Sequence, residues 1–352
     1  MSAPEPLEFG RPYRRMLLGV LLAGALIQFL LAMFFLGVVH RPAPHDLPVG
    51  VVADDATAGR LSSQLAADGR FAVTRYATTD ELTRAVEHRD VYGGLVMTDG
   101  RISPWVASSG GSLPAAVLKS TAATINAQLS GTPQATDPDV VPLPAEDSNG
   151  ASIGSLMQVI SLGGAVASLA LGRLVPRTPR SLRRGLGHAG MLLAYAVATA
   201  GILLGVGAIY GLAASWDIAV SYAWVSLAFT ASTAGFVALV GPVGSLSGAI
   251  YFLIGSSISG ATLPWEFLSP FWSAIGQWLP TGGGAYLLRS VFYFPDAGNG
   301  AAHLCLGLYA GLGILIILVV NTLPNPRNRI SATDVHLIDF IAGRRAPADT
   351  AR

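Results

Sequence analysis

The distribution of apolar segments constrains this chain more than any other feature of its sequence. Residues 16–39 form an almost unbroken apolar run in which Gln28 is the only strongly polar side chain, and a more polar stretch covers residues 40–150. Five further apolar segments follow: 151–171, 189–213, 218–240, 243–263 and 301–320. Each can cross a hydrocarbon core of ~30 Å, which takes ~20 helical residues. The pattern predicts a polytopic α-helical membrane protein with six transmembrane helices and a large insert between helices 1 and 2.

The composition supports an integral membrane protein. Only 12% of the residues are charged, whereas a soluble globular chain has about 25%, and the mean hydropathy is +0.52. Cys305 is the only cysteine, which excludes an internal disulfide and a metal cage built from cysteines. His45 and His88 have no partners at the spacing of metal ligands, so both are expected to be surface residues. We expect neither a metal nor another cofactor.

The arginines predict the orientation of the helices. If the two tails and residues 173–188 face the cytoplasm, these pieces hold 13 arginines and 5 acidic residues, and the outer pieces hold 9 basic and 16 acidic residues. Short arginine-rich loops stay on the cytoplasmic side of a membrane. We therefore expect a multi-pass plasma-membrane protein with both termini in the cytoplasm. We expect a cytoplasmic tail at 1–15, helix 1 at 16–39 and an extracellular domain at 40–150. A membrane domain with helices 2–6 follows at 151–320, and a second cytoplasmic tail at 321–352.

The first apolar run has two interpretations. Three arginines precede it, as basic residues precede the core of a cleaved signal peptide. However, 24 apolar residues exceed a normal signal core, and His40-Arg41-Pro42 follows where a cleavage site needs small residues. A retained membrane anchor is the favoured interpretation.

Residues 40–150 alternate between short apolar strands and amphipathic helices. The predicted strands cover 47–53, 71–76, 91–97 and 101–107. The predicted helices cover 58–68, 80–88 and 113–129. Pro104 restricts the fourth strand to a sheet edge, because proline cannot donate a ladder hydrogen bond. The order βαβαββα predicts a small α/β domain with one layered core.

Two local patterns in this domain bear on its chemistry. Asp54 and Asp55 follow the first strand, and strand ends in α/β units often bind ligands, so a cation site is one interpretation. The favoured alternative is a turn that leads into a helix. Thr78 and Glu81 have the spacing of a capping box at the start of the second predicted helix. Nothing in the domain indicates catalysis.

The apolar segments after the insert are poor in ionisable groups. Between residues 189 and 263 only Asp217, at a predicted helix end, is ionisable besides tyrosines. Proton- or sodium-coupled carriers usually keep such groups near the midplane, which speaks against that class of transporter. Glycines spaced by four would let helix backbones approach closely. The pairs are Gly201/Gly205, Gly207/Gly211 and Gly244/Gly248.

The segment 264–300 is rich in aromatic residues and interrupted by prolines and by the triple glycine 282–284. A straight spanning helix would not tolerate these breakers. Two short helices that dip into the outer leaflet as a re-entrant hairpin fit better, with aromatic side chains at the membrane interface; the alternative is a simple interfacial loop. The residues expected to form this outer element are Pro264, Trp265, Glu266, Pro270, Trp272, Trp278, Pro280 and Arg289.

The predicted cytoplasmic loop 173–188 contains a possible helix start. Ser181 has the side chain of a helix cap, and Leu182, Arg183 and Arg184 follow it. The arginines would project into the cytosol, where a short helix could dock a soluble partner. The alternative is that these arginines only enforce the topology.

Three pieces of sequence support a resemblance to a known family. They are the insert opening LPVGVVADD, its stretch TTDELTRAVEHRDVYGGLVM, and the prolines spaced from Pro264 to Pro280 before the last helix. In these pieces and in its layout over most of 16–320, the chain resembles an ABC-2-type transporter permease. The subgroup is the one with a large extracellular insert between the first two helices, which includes the phage-infection-protein-like membrane proteins.

The resemblance implies a membrane subunit of an ATP-driven exporter in the lipid bilayer. An ABC ATP-binding subunit would act in trans on the loop 173–188, with its helix at 181–186, and segment 264–294 would close the pathway outside. Two copies would form a homodimer that exports an amphipathic, lipid-like or drug-like substrate; no nucleic-acid partner is expected. A Walker A motif needs Gly-Lys-Ser/Thr, and Lys119, the only lysine, follows Leu118. The chain is therefore not expected to be an enzyme.

Two other function classes remain open at this point. Some proteins of this layout resemble secretion accessory proteins or surface receptors, so a non-transporting scaffold or receptor that acts through its extracellular domain is the alternative. A membrane enzyme is the least favoured class, because His-Glu-x-x-His and paired intramembrane carboxylates are missing from the sequence.

Overall fold

The computed structural model describes residues 11–39, 42–129, 137–174 and 181–323 of the chain. The chain divides into two compact units, Met1–Ala43 and Pro44–Arg352. The described part of the first unit consists mainly of one helix, α1 (Arg11–Val39), whose apolar side chains are exposed along most of its length. A helix that is apolar all round is typical of a membrane span. The predicted helix at 16–39 is present and begins five residues earlier.

The second unit begins with a four-stranded sheet. Its strands are β1 (Leu47–Val52), β2 (Phe71–Arg75), β3 (Gly93–Thr98) and β4 (Arg101–Val106), in the order β2-β1-β3-β4. The strands are parallel except for the β3–β4 hairpin. The helices between and after them are α2 (Asp55–Ala66), α3 (Thr79–Glu87) and α4 (Ser112–Leu129). This order confirms the βαβαββα prediction, and Pro104 lies on the edge strand β4 as expected.

Side-chain caps explain where the helices of this sheet domain begin. The carboxylate of Asp54 accepts a hydrogen bond of 3.1 Å from the amide of Thr57, so Asp54 caps α2 and the turn interpretation holds. Thr78 caps α3 by accepting from the amide of Glu81 at 3.2 Å, and Glu81 accepts in return from the amide of Ala77 at 3.0 Å. No cluster of three or more potential metal ligands occurs in the described ranges.

The remainder of the second unit is helical. Its longer helices are α5 (Ser152–Leu174), α6 (Leu182–Ile209), α7 (Trp216–Val240) and α11 (Gly300–Thr322). Among the residues with described positions, four helical runs are long and apolar enough to cross a membrane. They are Arg15–Val38, Leu182–Ile209, Trp216–Gly255 and Gly300–Thr322, and a shorter apolar helix covers Ser152–Ser168. These runs indicate a membrane-embedded helical protein.

The prediction of one regular helix at 243–263 is wrong. Gly241 has φ +79° and ends α7, and the chain continues as a 3-10 turn (Gly241–Ser245), the short helix α8 (Leu246–Ile250) and a π-helical turn (Tyr251–Gly255). A side chain at Gly244 would overlap the backbone of Phe236, so this segment folds back along α7. Turns and bends follow Gly255, because glycines and serines there offer the backbone alternatives to a helix.

Helix α7 forms the centre of the helical part, where it packs against α5, α6, α10 (Pro280–Tyr293) and α11. Its closest crossing is with α11, where an added Cβ at Gly235 would lie 2.9 Å from the Cα of Gly313. Of the glycine pairs predicted to mediate close approach, Gly244/Gly248 does so. Within the described residues of the second unit, an added Cβ at Gly201 or Gly205 meets no atom within 4 Å, so that pair mediates no close approach there.

Candidate functional site

Two short helices form the segment 264–300, as its prolines predict. Helix α9 covers Pro270–Trp278 and α10 covers Pro280–Tyr293, and each begins with its proline. Proline suits the first helical position, since its missing N–H would have no intrahelical partner there. A 3-10 turn, Trp265–Phe267, precedes α9.

The triple glycine 282–284 is not a helix breaker, contrary to expectation, because it lies inside α10 and is buried. A side chain at Gly282 would overlap the carbonyl oxygen of Gly276. A Cβ at Gly284 would come within 2.8 Å of Val225 and 3.1 Å of Met157. The glycines therefore allow α10 to approach α9, α7 and α5 closely, and this packing fixes the position of the side chains that follow on α10.

Arg289 joins α10 to the sheet domain. Its side chain is buried, and its guanidinium donates from Nη1 to the carbonyl oxygen of Ser109 at 2.9 Å and from Nη2 to that of Ala261 at 2.5 Å. Ser109 follows β4, whereas Ala261 lies in the irregular segment after the π-helical turn. The guanidinium therefore bridges the sheet domain and the helical part.

Arg89, a residue of the sheet domain, also contacts α10. It follows α3 with φ +63°, and the hydrogen bonds from Arg89 N to Val86 O (3.0 Å) and from Asp90 N to Ala85 O (2.8 Å) define a Schellman motif. Glycine usually occupies this left-handed position, because a Cβ there costs roughly 1–2 kcal/mol. Arg89 therefore holds its position at a cost in backbone energy.

The guanidinium of Arg89 packs on α10. Its Nη1 donates to the carbonyl oxygen of Tyr286 at 3.0 Å and to Oγ of Ser290 at 2.8 Å. Its Cζ lies 3.9 Å from the centroid of the Tyr286 ring, which is a cation–π contact. Burial lowers the pKa of Arg89, but a guanidinium does not lose its proton in proteins. A positive charge is therefore held in a desolvated position.

Glu266 supplies the acidic group of the site. Its Oε2 accepts a hydrogen bond of 2.9 Å from the hydroxyl of Tyr92, a residue just before β3. Its backbone carbonyl accepts a hydrogen bond of 2.7 Å from the amide of His45. Burial raises the pKa of Glu266, although Tyr92 and Arg89 both act in the opposite direction.

Two stacked aromatic rings lie next to these charged groups. Trp265 stacks on Tyr286 with ring centroids 6.2 Å apart and an angle of 2° between the rings, and its Nε1 donates to the carbonyl oxygen of Ile258 at 3.2 Å. Gly260, with φ +79°, passes so close to Trp265 that a Cβ would lie 2.9 Å from the indole. Only glycine combines this conformation with this approach.

These groups surround a cavity of about 100 Å³ between the sheet domain and α10. Its polar and aromatic lining comes from Arg89, Tyr92, Trp265, Glu266, Tyr286 and Arg289. A larger cleft of about 440 Å³ lies next to Asp147. The carboxylate of Asp147 already accepts from the hydroxyl of Tyr293 and from the amides of Ala151 and Ser152, so its role is structural. Glu146, which also lines this cleft, is exposed.

The cavity carries an excess of positive charge. The ion pairs found in the described part of the chain are Arg70–Asp68 and Lys119–Asp137, both remote from it in sequence and outside its lining. Among the described residues of the lining, Glu266 is the one carboxylate, against two arginines. The arrangement can attract an anion and can orient it through hydrogen bonds.

Sequence reasoning identified part of this site. Pro264, Trp265, Glu266 and Arg289 line the cavity together. Pro270 and Pro280 begin α9 and α10, and Trp272 and Trp278 belong to α9, where Trp278 is exposed; none of these four lines the cavity. Arg89 and Tyr92 were missed, because their contacts join positions about 175–200 residues apart and no local pattern indicates them.

The residues predicted to couple to an ATPase lie at the start of α6. Ser181 caps that helix by accepting from the amide of Arg184 at 3.3 Å, and Leu182, Arg183 and Arg184 form its exposed first turn. The short helix expected at 181–186 begins after Ser181 as predicted but does not end at 186, since these residues continue directly into α6. Arg177 and Arg180 lie outside the described residues.

Comparison of the chain with known protein families, with curated proteins and with solved structures finds no match.

Proposed function

We propose that the chain is the membrane-spanning permease subunit of an ATP-driven exporter of the ABC-2 type, energised by a separate ATPase. In this proposal six segments cross the plasma membrane, namely α1, α5, α6, α7, the segment after Gly241 and α11. The sheet domain is outside the cell, α9 and α10 form a re-entrant element beneath it, and two copies enclose the route of an amphipathic substrate.

The observation that carries the proposal is the arrangement of the first turn of α6. This turn exposes Arg183 and Arg184, whereas the next residue, Gly185, packs on α11, with an added Cβ only 3.2 Å from Asn321. A basic turn that is exposed on one side and packed against another helix on the other side suits a docking element. A partner that pushes on the turn would move α11, and α11 packs directly on α7 and α10.

The first test is co-purification of the full chain from native membranes in mild detergent, with mass spectrometry of its partners. A stoichiometric ATPase is expected, and it should be lost when Arg183 and Arg184 are both replaced by Glu. The matched control replaces Arg60 and Arg75, two exposed arginines of the sheet domain, and should retain the ATPase. Absence of an ATPase, or its retention by the Arg183/Arg184 variant, would favour the scaffold alternative instead.

The proposed orientation is tested by labelling intact cells with a membrane-impermeant maleimide. Cys305 is buried, so the unchanged chain is the control and should remain unlabelled. Ser63→Cys, on the exposed side of α2, should be labelled from outside. Leu186→Cys, which is 56% exposed on α6, should be labelled only after permeabilisation. The reverse pattern would contradict the proposed topology.

A further inference from the structure

The cavity between the sheet domain and α10 contains hydrogen-bond donors that the protein leaves unused. Arg89 uses only Nη1 in its hydrogen bonds to protein atoms, so its Nε and Nη2 have no acceptor among the described residues. Arg289 uses Nη1 and Nη2 once each, and its Nε has no acceptor there either. None of these nitrogens is fully enclosed by protein atoms, and both arginines line the cavity, so their free N–H groups can donate to a bound molecule.

The charges around the cavity are also unbalanced. Besides the two arginines, the titratable groups in its lining are Glu266, Tyr92 and Tyr286. Glu266 is occupied by the hydroxyl of Tyr92 and lies beyond ion-pair distance from both arginines. Asp147, which is not part of the lining, attracts Arg289 electrostatically. Its carboxylate oxygens already accept hydrogen bonds from the hydroxyl of Tyr293 and from the amide of Ala151 at the start of α5. Among the described residues of the lining, two guanidinium groups therefore share one carboxylate, and neither guanidinium forms an ion pair with it.

The cavity is large enough to hold a molecule bigger than a single water. One water molecule requires ~10–15 Å³ in this measure, whereas the cavity has about 100 Å³. Water could satisfy the free donors, but it could not balance the charge. A compact anion with several acceptor oxygens would do both, because guanidinium groups bind phosphate and carboxylate oxygens with paired, charge-assisted hydrogen bonds.

We infer that this cavity binds a phosphate-type oxyanion between Arg89 and Arg289, with the stacked rings of Trp265 and Tyr286 as its wall. The oxyanion is either free phosphate or the phosphate of a lipid headgroup. The site joins the sheet domain to α10, so an anion bound there also holds the two together. This inference concerns the cavity alone and does not depend on whether the chain is a permease.

The test uses the purified full chain in detergent, with two probes. Inorganic phosphate is titrated against sodium chloride at equal ionic strength, with thermal unfolding as the readout. Lipid phosphorus retained after detergent exchange is measured per chain and identified by mass spectrometry. A saturable rise of the unfolding temperature with phosphate indicates the free anion, and about one retained phospholipid per chain indicates the lipid headgroup.

The variants keep the inference falsifiable if one of them folds poorly. Arg89→Lys keeps the charge but loses the paired donors, and should weaken binding about tenfold. Arg89→Gly removes the guanidinium, suits the left-handed backbone, and should abolish binding. Arg60→Lys, an exposed arginine on α2, is the matched control and should bind like the unchanged chain. Binding of neither probe, or equal binding by both Arg89 variants, would show that the cavity holds only water and overturn the inference.

Discussion

Burial of Glu266 makes the stability of the fold depend on pH. It shares the cavity with Arg89 and Arg289 but makes its hydrogen bond to the neutral hydroxyl of Tyr92. Its pKa is raised, mainly by burial. Between the ordinary pKa of glutamate and this raised value, the folded chain holds a proton that the unfolded chain has released. The free energy of unfolding must therefore fall as pH rises through that window.

Glu266→Gln removes this dependence, because glutamine does not titrate and keeps an oxygen for the hydroxyl of Tyr92. As pH rises above 4.5, the ordinary pKa of glutamate, we expect the unfolding temperature of the unchanged chain to decline relative to that of the variant. Thermal unfolding of both proteins in detergent between pH 4 and pH 8 measures the difference. Glu146→Gln, at an exposed position, should follow the unchanged chain. Parallel profiles for all three proteins would exclude a contribution from Glu266.

At the residue scale, Trp265, Glu266 and Arg289, which the sequence placed in an outer element, line the cavity, whereas the cavity itself was not predicted. Glu266 and Arg289 were identifiable because charged residues are rare in apolar surroundings, and Trp265 because aromatic residues cluster beside the prolines. Arg89 was not, because an arginine after a surface helix has nothing unusual about it until its left-handed backbone and its contact with Tyr286 are known. Such information arises only when distant segments pack together.

At the element scale, α10 shows that the same residue type can break one helix and position another. Gly241 ends α7 through its positive φ, whereas Gly282 lies inside α10 against the carbonyl of Gly276. Within a helix, glycine is about 0.8–1.0 kcal/mol less favourable than alanine. That cost is offset where a side chain could not fit, and only tertiary contacts distinguish the two cases.

Three alanine substitutions separate these effects. Gly201→Ala, on the open side of α6, should raise the free energy of unfolding by up to about 1 kcal/mol, since only helix propensity changes. Gly283→Ala, with a Cβ 3.3 Å from Cys305, should be close to neutral. Gly282→Ala should lower stability by about 1–3 kcal/mol, because α9 and α10 must separate. Thermal unfolding in detergent gives the order, and a Gly282→Ala protein as stable as Gly201→Ala would contradict the packing.

The elements of the sheet domain were more predictable than those of the helical part. Strands, turns and the Thr78 cap are encoded by neighbouring residues, so their order and approximate bounds followed from the sequence. The segment 243–263 was predicted as one helix from hydropathy alone. Hydropathy does not register that Gly244 must pack on the backbone of Phe236 or that the helix changes to a π-turn at Tyr251.

At the scale of the whole molecule, the sheet domain and the helical part share a core. Phe294, just after α10, is buried in the same apolar cluster as Leu82 and Val86 of α3 and Val96 of β3. His88 of the sheet domain, although exposed as expected, has its Nδ1 2.7 Å from the carbonyl oxygen of Asp296. Buried apolar contacts of this kind make two parts unfold together rather than separately.

Arg289 is expected to be the main polar link in this coupling. In Arg289→Met the side chain keeps most of its apolar stem, but the carbonyls of Ser109 and Ala261 lose their buried donors. The loss should cost about 2–4 kcal/mol and allow the sheet domain to open before the helices. Hydrogen exchange of the full-length variant measures this opening. Protection of the backbone amides should fall in β1 and β3 and persist in α7.

The unchanged chain should lose protection in β1, β3 and α10 through one common opening. Arg101→Met, at an exposed position at the start of β4, is the matched control and should behave in the same way, because its side chain does not join the two parts. If the sheet domain of the unchanged chain opened independently, the contacts of Arg289 would not couple the parts. A conformational change in the sheet domain could then not be transmitted to α10 through the hydrogen bonds of Arg289. Only the apolar contacts around Phe294 would then couple the two parts.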